Sequence, residues 1–300
     1  MLLKGKMLIL LKLNINFKIN IMQLEPQHVD RNVSPTEYKQ FGDKLLVTSV
    51  FHTIQGEGVW AGYVTTFTRL AGCNFGAKGA ATTATTAATE SGEIQVPDTC
   101  RFCDTFFAFA EGTPLSFDEV YDRIVKVQGD NPCKRIVITG GEPMIQKNVV
   151  AFTEYLNNKG YSVQFETNGA FYLPIPASPS KTIENIIVCS PKMGAANKYS
   201  ALRPDVFARA DCLKFVVERE GKFNYIPDYA FEFAKTGKPV YVSPINVYLR
   251  EVRRGEVPCF FTEGLYDLAA CKDNYKYAAE LSMKYGFILN LQKHLFLGLE

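Results

Sequence analysis

Three cysteines have the residue type and spacing of a metal-binding site. Cys73 follows a predicted strand, and Cys100 and Cys103 are separated by only two residues. Thiolates are soft ligands that select zinc or an iron–sulfur cluster. Four protein ligands close a structural zinc site, whereas three ligands on a four-iron cluster leave one iron open to a cofactor or substrate. No second Cys-x-x-Cys pair occurs, and none of the three histidines has a nearby ligand spacing, which favours the cluster.

The other five of the eight cysteines are scattered along the chain. A free cysteine is most often a small buried apolar residue. We therefore interpret these five as ordinary core residues, namely Cys133, Cys189, Cys212, Cys259 and Cys271.

Glycines and polar residues recur where predicted strands end. In an α/β sheet or barrel, ligands bind at the carboxyl ends of the parallel strands. One such end alone is explained by ordinary turn chemistry, but five ends that coincide with a thiol cluster favour an active site. The five are Cys73 after strand 65–70, Thr139-Gly-Gly-Glu-Pro143 after 135–138, Glu166-Thr-Asn-Gly169 after 162–166, Ser190-Pro-Lys192 after 186–190, and Ser243-Pro-Ile-Asn246 after 240–243.

The elements that must position these residues are strands alternating with helices. Repeated βα units predict a parallel sheet, either an open doubly wound sheet or a complete or partial barrel. Ser116 is a predicted cap for a helix over 116–127. The remaining predicted strands are 45–51, 213–217 and 287–291, and the remaining predicted helices are 149–158, 225–235 and 273–284.

Composition limits the possible partners and location. Hydrophobic residues make up 47% and charged residues 21%, as in globular proteins, and a net charge of +2 predicts no nucleic-acid partner. Four lysines interrupt the apolar residues 1–21, so we expect neither a membrane span nor a signal peptide there. We predict a cytoplasmic protein with an extension over residues 1–43, Met22 being a plausible start, and a catalytic domain over 44–300. Residues 76–89 are nearly all Ala, Thr and Gly, which predicts a flexible insert near 76–95.

Five motifs together resemble the 7-carboxy-7-deazaguanine synthases of the radical S-adenosylmethionine (SAM) superfamily. They cover roughly Leu45 to His294 in the order that the family shows. The chain departs from the superfamily in the spacer between its first two cysteines, which is usually three residues and here runs from Asn74 to Thr99. The motifs are Phe51-His-Thr-Ile-Gln-Gly-Glu-Gly58, Arg69-Leu-Ala-Gly-Cys73, Cys100-x-x-Cys-Asp-Thr105, Ile138-Thr-Gly-Gly-Glu-Pro143 and Glu166-Thr-Asn-Gly169.

The resemblance implies a fold, a reaction and partners. The fold is a partial, modified TIM-type (β/α) barrel of the radical SAM type. The reaction is the radical-mediated ring contraction of 6-carboxy-5,6,7,8-tetrahydropterin to 7-carboxy-7-deazaguanine with loss of ammonia, a carbon–nitrogen lyase step in 7-deazapurine (queuosine) biosynthesis. The implied cofactors are a [4Fe–4S] cluster, SAM and Mg²⁺. A flavodoxin or ferredoxin is the implied reductant, and a homodimer is the expected assembly.

The resemblance also implies a role for individual residues. Cys73, Cys100 and Cys103 hold the cluster, and Thr105 is the protein ligand of Mg²⁺. Gly141 lets the backbone approach SAM where a side chain would collide. The other SAM-binding residues are Ser190, Pro191, Lys192, Ser243, Pro244, Ile245 and Asn246. The substrate-binding residues are Ile54, Gln55, Gly56, Arg69 and Thr139, with the Arg69 guanidinium suited to the substrate carboxylate.

Two other classes of protein stay open at this point. A glycyl-radical activating enzyme has the same cluster and cofactor, although the Gln-Gly-Glu-Gly and Cys-Asp-Thr elements disfavour it. A non-catalytic zinc or iron–sulfur module needs only the thiols and leaves the five strand ends unexplained.

Overall fold

The structure is a computed structural model that describes residues 43–74, 102, 103, 105, 108, 112–193, 198, 199, 201–250, 252 and 256–299. The predicted extension over 1–43, apart from Asp43, lies outside these residues. The predicted insert near 76–95 and the predicted cluster ligand Cys100 lie outside them as well.

One sheet of nine strands, in the order β3-β1-β2-β4-β5-β6-β7-β8-β9, organises the described part of the chain. β1 pairs antiparallel with β2 and with β3, and every pairing from β2 through β4 to β9 is parallel. The strands are β1 (Leu45–Ile54), β2 (Val64–Leu70), β3 (Thr113–Leu115), β4 (Arg135–Gly140), β5 (Ser162–Thr167), β6 (Asn185–Cys189), β7 (Cys212–Val217), β8 (Val240–Pro244) and β9 (Ile288–Leu289).

Helices follow most of the parallel strands, as the alternating pattern predicts. They are α1 (Phe117–Gln128), α2 (Val149–Asn158), α3 (Pro204–Arg209), α4 (Asp228–Ala234), α5 (Leu268–Tyr285) and α6 (Lys293–Leu297). Ser116 caps α1 as predicted, because its hydroxyl accepts from the Glu119 N–H while the Glu119 carboxylate accepts from the Ser116 N–H. Among the described helices, none is long and apolar enough to cross a membrane.

The two faces of the sheet have different surroundings. On the outer face, Ile136 and Ile138 of β4 belong to an apolar core with Val120 of α1 and Phe152 of α2. The residues between them point to the inner face, where Val137 packs in a smaller cluster that includes Trp60, Phe67, Ile186, Val188 and Tyr241. The end strands β3 and β9 are not neighbours in the strand order of the described residues. The architecture is thus the open partial barrel that the sequence predicts.

The cysteines outside the cluster motif divide into two groups. Cys189, Cys212 and Cys271 are buried, as predicted. The interpretation as buried core residues is wrong for Cys133 and Cys259, which are half-buried. Cys133 lies in the turn before β4 with polar neighbours, and Cys259 lies in the loop before α5. Each of these two cysteines directly follows a proline and lies in a connection between elements, which explains its partial exposure.

Candidate active site

The parallel strands bring the five strand ends that carry cysteine, glycine or polar residues to one edge of the sheet. Leu70 of β2 pairs with Gly140 of β4, and Thr167 of β5 pairs with Cys189 of β6. Pro244 of β8 pairs with Val217 of β7 in the same direction. Because these strands run in parallel, the segments that follow them leave the sheet at the same side.

The loop of Cys73 lies directly against the Gly-Gly-Glu-Pro turn. The Gly141 N–H donates to the Leu70 carbonyl at 3.2 Å, and the Glu142 N–H donates to the Gly72 carbonyl at 2.7 Å. A Cβ on Gly141 would lie 2.2 Å from that carbonyl oxygen and 2.7 Å from Cys73 Cβ. Both distances are too short for any side chain, so only glycine fits beside Cys73, the first predicted cluster ligand.

Glu142 joins the ends of β4 and β5 through hydrogen bonds. It is 1% exposed, and its carboxylate accepts hydrogen bonds from the Thr167 hydroxyl at 2.7 Å, the Asn168 N–H at 2.6 Å and the Met144 N–H at 2.9 Å. Burial raises the pKa of the Glu142 carboxyl despite these hydrogen bonds. The Asn168 side chain in turn donates to Asn74 Oδ1 at 2.7 Å. The residue after Cys73 is thereby tied to the end of β5.

Phe102, inside the Cys-x-x-Cys motif, lies beside the ends of β6 and β7. Cys103 Sγ is 3.6 Å from the Thr105 hydroxyl. The Phe102 ring meets the Phe223 ring edge-on at 5.2 Å, and Lys192 Nζ lies 5.7 Å from the centre of the Phe102 ring. Lys192 also donates to the Ser190 hydroxyl at 3.0 Å. The structure therefore brings two predicted SAM-binding residues next to the predicted cluster loop.

The segment of residues 243–246 is fixed from the carboxyl-terminal side of the chain. The Asn290 side chain donates to the Ser243 hydroxyl at 2.8 Å, and the Tyr275 hydroxyl donates to Asn246 Oδ1 at 3.2 Å. Asn246 also donates to Gln292 Oε1. Pro244 and Ile245 are buried next to them. The structure thus explains how this turn is held, and its contact with SAM stays a prediction.

The loop after β1 reaches the carboxyl end of β5. Gln55 is 3% exposed, donates from Nε2 to Glu166 Oε1 at 2.8 Å and accepts the Glu57 N–H at 3.1 Å. A Cβ on Gly56 would lie 2.1 Å from His294 Nδ1. Ile54, the last residue of β1, is half-buried beside this loop. The Gln55 side chain is thus already engaged in holding the loop.

A buried ion pair lies in the same region. Lys214 of β7 contacts Glu57, and both side chains are largely buried, with 11% and 12% of their surfaces exposed. Burial would raise the pKa of the Glu57 carboxyl, but the charge and hydrogen bond of Lys214 hold the pKa below its ordinary value, with help from His294 and Lys192. The Glu57 carboxylate is therefore buried close to three basic side chains, those of Lys214, His294 and Lys192.

Arg69 and Thr139 are neighbours across β2 and β4, next to the ends that carry Cys73 and Gly141. Arg69 is 8% exposed, and its guanidinium lies 5.1 Å from the centre of the Phe51 ring. Phe51 stacks on Phe67 with 4.9 Å between ring centres. The aromatic pair thus supports the Arg69 guanidinium, whose contact with a substrate carboxylate stays a prediction.

Sequence reasoning missed Glu57, Lys214 and His294. Glu57 stands inside the Gln-Gly-Glu-Gly motif, so the motif itself was an available signal. Lys214 is the one charged residue in the apolar run 212–217. Because side chains alternate along a strand, Lys214 and the buried Leu213 are expected on opposite faces of the sheet. His294 meets Gly56 only because the chain closes on itself, and no local pattern indicates that contact.

The donor set fits an iron–sulfur cluster in its chemistry. Cys73 is buried and Cys103 is half-buried, and both are thiols at the ligand edge of the sheet. Among the described residues, no three His, Cys, Asp or Glu side chains are grouped as ligands of a single metal ion. Cys100, the third predicted ligand, lies outside them.

Comparisons with known proteins point to one enzyme family. The Radical SAM superfamily model matches residues 97–174. The 7-carboxy-7-deazaguanine synthase of Rickettsia prowazekii is 29% identical over 86% of this chain and 90% of its own. Those of Aquifex aeolicus and Hyperthermus butylicus are each 32% identical, over 65% and 67% of this chain and 76% and 77% of their own. The crystal structure of QueE from Escherichia coli is similar in fold, with a TM-score of 0.53 and 19% identity over 87% of this chain and 99% of that one.

The open barrel, the cysteine motif and the superfamily match define a radical SAM enzyme, a class that uses a [4Fe–4S] cluster and SAM. Within that class, the chain belongs to the 7-carboxy-7-deazaguanine synthase family. The resemblance drawn from the five sequence motifs is therefore confirmed.

Proposed function

We propose that this chain contracts the ring of 6-carboxy-5,6,7,8-tetrahydropterin to 7-carboxy-7-deazaguanine with loss of ammonia. The observation that carries the proposal is that a buried arginine, Arg69, lies next to the strand ends that would hold the cluster and SAM. Arg69 and Thr139 lie on adjacent strands, directly before the segments of Cys73 and Gly141. A carboxylate held by Arg69 would therefore lie close to the place where the radical reaction begins.

The residues of the strand ends bind and orient the cofactors. When bound, the cluster and SAM supply the one-electron chemistry that starts the reaction. Cys73, Cys100 and Cys103 would hold the cluster, and the glycine turn at Gly141 keeps side chains away from it. SAM would be held by Gly141, by Ser190, Pro191 and Lys192, and by Ser243, Pro244, Ile245 and Asn246. The link of Lys192 to both Ser190 and the Phe102 ring supports this arrangement.

The substrate would lie between the loop after β1 and the ends of β2 and β4. Arg69 offers a planar pair of donors to the carboxylate, and Thr139 offers a hydroxyl beside it. Ile54, Gln55 and Gly56 would line the pterin ring. Since the Gln55 side chain bonds to Glu166 and Glu57, the backbone of this loop is the part best placed to meet the pterin edge.

Product analysis tests the proposed function. The anaerobically reconstituted protein is incubated with dithionite, SAM, Mg²⁺ and the carboxytetrahydropterin. We expect 7-carboxy-7-deazaguanine and ammonia in equal amounts, detected by liquid chromatography with mass spectrometry. Cleavage of SAM without either product would contradict the proposal and would point to another radical SAM substrate, such as the glycine of a partner protein.

Replacement of Arg69 by lysine should raise the KM for the carboxytetrahydropterin, because an ammonium cannot make the paired contact with a carboxylate. We expect the KM to rise by roughly tenfold, the effect of about 1.4 kcal/mol. Arg135→Lys is a matched control. The Arg135 guanidinium also lies over an aromatic ring, 4.3 Å from the centre of Tyr63, but Arg135 is the first residue of β4, whereas Arg69 lies beside the carboxyl end of that strand. Equal kinetics for Arg69→Lys and the wild type would remove the carboxylate role.

Replacement of Thr105 by alanine should weaken the activation by Mg²⁺ and leave SAM cleavage without substrate unchanged. Mg²⁺ takes few protein oxygens and keeps several waters, so one hydroxyl beside the cluster cysteines is a suitable ligand. Thr105→Ser keeps the hydroxyl and should restore the wild-type Mg²⁺ titration. If Thr105→Ala and Thr105→Ser titrate alike, Thr105 has only a structural role in its turn.

The proposal extends to the setting of the enzyme. Residues 44–300 would form the catalytic domain, with a flexible insert near 76–95. A flavodoxin or ferredoxin would supply the electron, and the enzyme would work as a cytoplasmic homodimer in 7-deazapurine biosynthesis. Sedimentation of the reconstituted protein tests the dimer, and turnover with each reduced electron carrier tests the donor.

A further inference from the structure

Asn290 lies directly after β9 and joins two distant parts of the proposed site. Its Oδ1 accepts a hydrogen bond from the Gly58 N–H at 2.8 Å, and its Nδ2 donates to the Ser243 hydroxyl at 2.8 Å. Gly58 belongs to the loop after β1, which would line the pterin, and Ser243 begins the turn of residues 243–246, which would hold SAM. One side chain therefore contacts both proposed binding elements.

This link is buried, and its geometry is fixed by the backbone. Asn290 is 4% exposed and Ser243 is 2% exposed. The Asn290 N–H donates to the Val242 carbonyl at 2.9 Å, which holds the residue beside β8. A planar amide carries an acceptor and a donor, so it can satisfy a backbone N–H and a hydroxyl at the same time. Loss of the amide would leave the Gly58 N–H in a buried position without its acceptor.

The residues after Asn290 contact the same two elements. The Lys293 N–H donates to the Gly56 carbonyl at 3.3 Å, and the Gln292 side chain accepts from Asn246. In the strand order, five strands separate β1 from β8. Residues 290–293 therefore connect the pterin loop and the SAM turn directly, and not through the sheet that lies between them.

From these contacts we infer that Asn290 is a positioning residue that couples the binding of SAM with the binding of the pterin. The inference rests on the proposed function, from which it takes both binding elements. SAM that fixes Ser243 also fixes Gly58 through the Asn290 amide, so the pterin meets a loop that is already in place. Coupling between two binding sites is reciprocal, so the pterin strengthens the binding of SAM by the same factor.

Binding titrations of the anaerobically reconstituted protein test the coupling, without reductant so that SAM is not cleaved. The Kd of the carboxytetrahydropterin is measured with and without saturating SAM, and the Kd of SAM with and without saturating pterin. In the wild type we expect each ligand to tighten the binding of the other by at least about fivefold. Equal affinities with and without the second ligand would overturn the inference alone. A wild type that binds SAM but no pterin would refute the proposed function and the inference with it.

Replacement of Asn290 by leucine removes both hydrogen bonds and keeps the approximate volume of the side chain. The coupling factor should fall to roughly one-fifth of the wild-type factor, the effect of about one buried hydrogen bond. More SAM should also be cleaved per product formed, because the pterin is less well placed. Asn290→Asp should restore most of the coupling, because a carboxyl group can bond to both the Gly58 N–H and the Ser243 hydroxyl. If the two variants couple alike, the hydrogen bonds of Asn290 do not link the sites.

Asn274→Leu is the matched control. Asn274 is also a buried asparagine, 6% exposed, whose Nδ2 donates to the Ile245 carbonyl at 3.0 Å and whose Oδ1 accepts from the Arg219 N–H at 2.9 Å. It thus holds the same SAM turn, but its other bond goes to the segment after β7. This variant should weaken the binding of SAM and keep the wild-type coupling factor. An equal loss of coupling in Asn274→Leu and Asn290→Leu would reduce the role of Asn290 to packing and contradict the inference.

Hydrogen exchange of the wild type gives a second measurement that needs no folded variant. SAM added without the pterin should slow the exchange of the peptide that contains Gly58 by several-fold, because the Gly58 N–H is donated to Asn290. The same peptide should exchange equally with and without SAM if the two elements are independent, and that result would also overturn the inference.

Discussion

Replacement of Cys73 or Cys103 by alanine is expected to abolish the iron–sulfur cluster and with it all turnover. A four-iron cluster with three cysteine ligands has no spare protein ligand, so the loss of one thiol leaves two. The same result is expected for Cys100, which belongs to the same motif. Iron and sulfide analysis after anaerobic reconstitution should show about four irons per wild-type chain and far fewer per variant chain.

Cys271→Ala is the matched control for this experiment. Cys271 is also a buried thiol, but its Sγ accepts from the Val247 N–H at 3.1 Å, away from the cysteine motif. This variant should keep the brown chromophore and the iron content of the wild type. A wild-type protein that binds one tightly held zinc and no iron would refute both the cluster and the superfamily chemistry.

The strand ends could be predicted from the sequence because each carries its own signal. The apolar residues 136–138 and the alternating segment 162–166 have the length of strands, and a threonine followed by Gly or Asn comes after each of them. In the structure, β4 and β5 differ from these ranges by no more than two residues at either end. Helices between strands predict that the strands pair in parallel. The common edge for Cys73, Gly141 and Lys192 could therefore be predicted from the sequence.

The short elements were not predicted, because they depend on tertiary contacts. β3 has three residues and exists as a strand through its pairing with β1. α6 has five residues and begins where the Lys293 N–H meets the Gly56 carbonyl. α5 begins at Leu268 rather than near residue 273, because the Asp267 side chain accepts from the Ala270 N–H and caps the helix there.

The interior of the barrel was the least accessible part of the site. Motif reasoning predicted residues that would meet the cofactors, but it did not predict the side chains that hold those residues in place. Glu57 and Lys214 are 157 positions apart in the sequence, and their pairing depends on how the loop after β1 folds back inside the sheet. Likewise, the engagement of Gln55 by Glu166 changes which part of this loop can meet a substrate.

Replacement of Lys214 by methionine is expected to have a large effect on stability and on its pH dependence. The variant leaves Glu57 buried without its nearest opposite charge. Removing one member of a buried ion pair typically costs about 3–5 kcal/mol. The remaining basic groups near Glu57, His294 and Lys192, should keep the loss toward the lower end.

The direction of the pH effect follows from the pKa of Glu57. In the wild type the folded pKa lies below the unfolded value, so the pair contributes stability above the unfolded pKa and loses it as the pH falls through the folded pKa. Without Lys214, burial dominates and the folded pKa rises above the unfolded value. The variant should therefore be much less stable than the wild type at pH 7, and the difference should narrow as the pH falls toward the unfolded pKa.

Urea unfolding midpoints, measured anaerobically at pH 7 and pH 5, test the expected loss of stability in Lys214→Met and its pH dependence. Glu57→Gln in the Lys214→Met background removes the unpaired charge and should recover a large part of the lost stability at pH 7, because a buried pair replaced by neutral groups of similar size costs little. Lys235→Met is the control, since Lys235 also pairs with a glutamate, Glu232, but both side chains are exposed and the pair contributes at most about 1 kcal/mol. If Lys214→Met and Lys235→Met shift the midpoint equally, Glu57 does not depend on Lys214 for its charge.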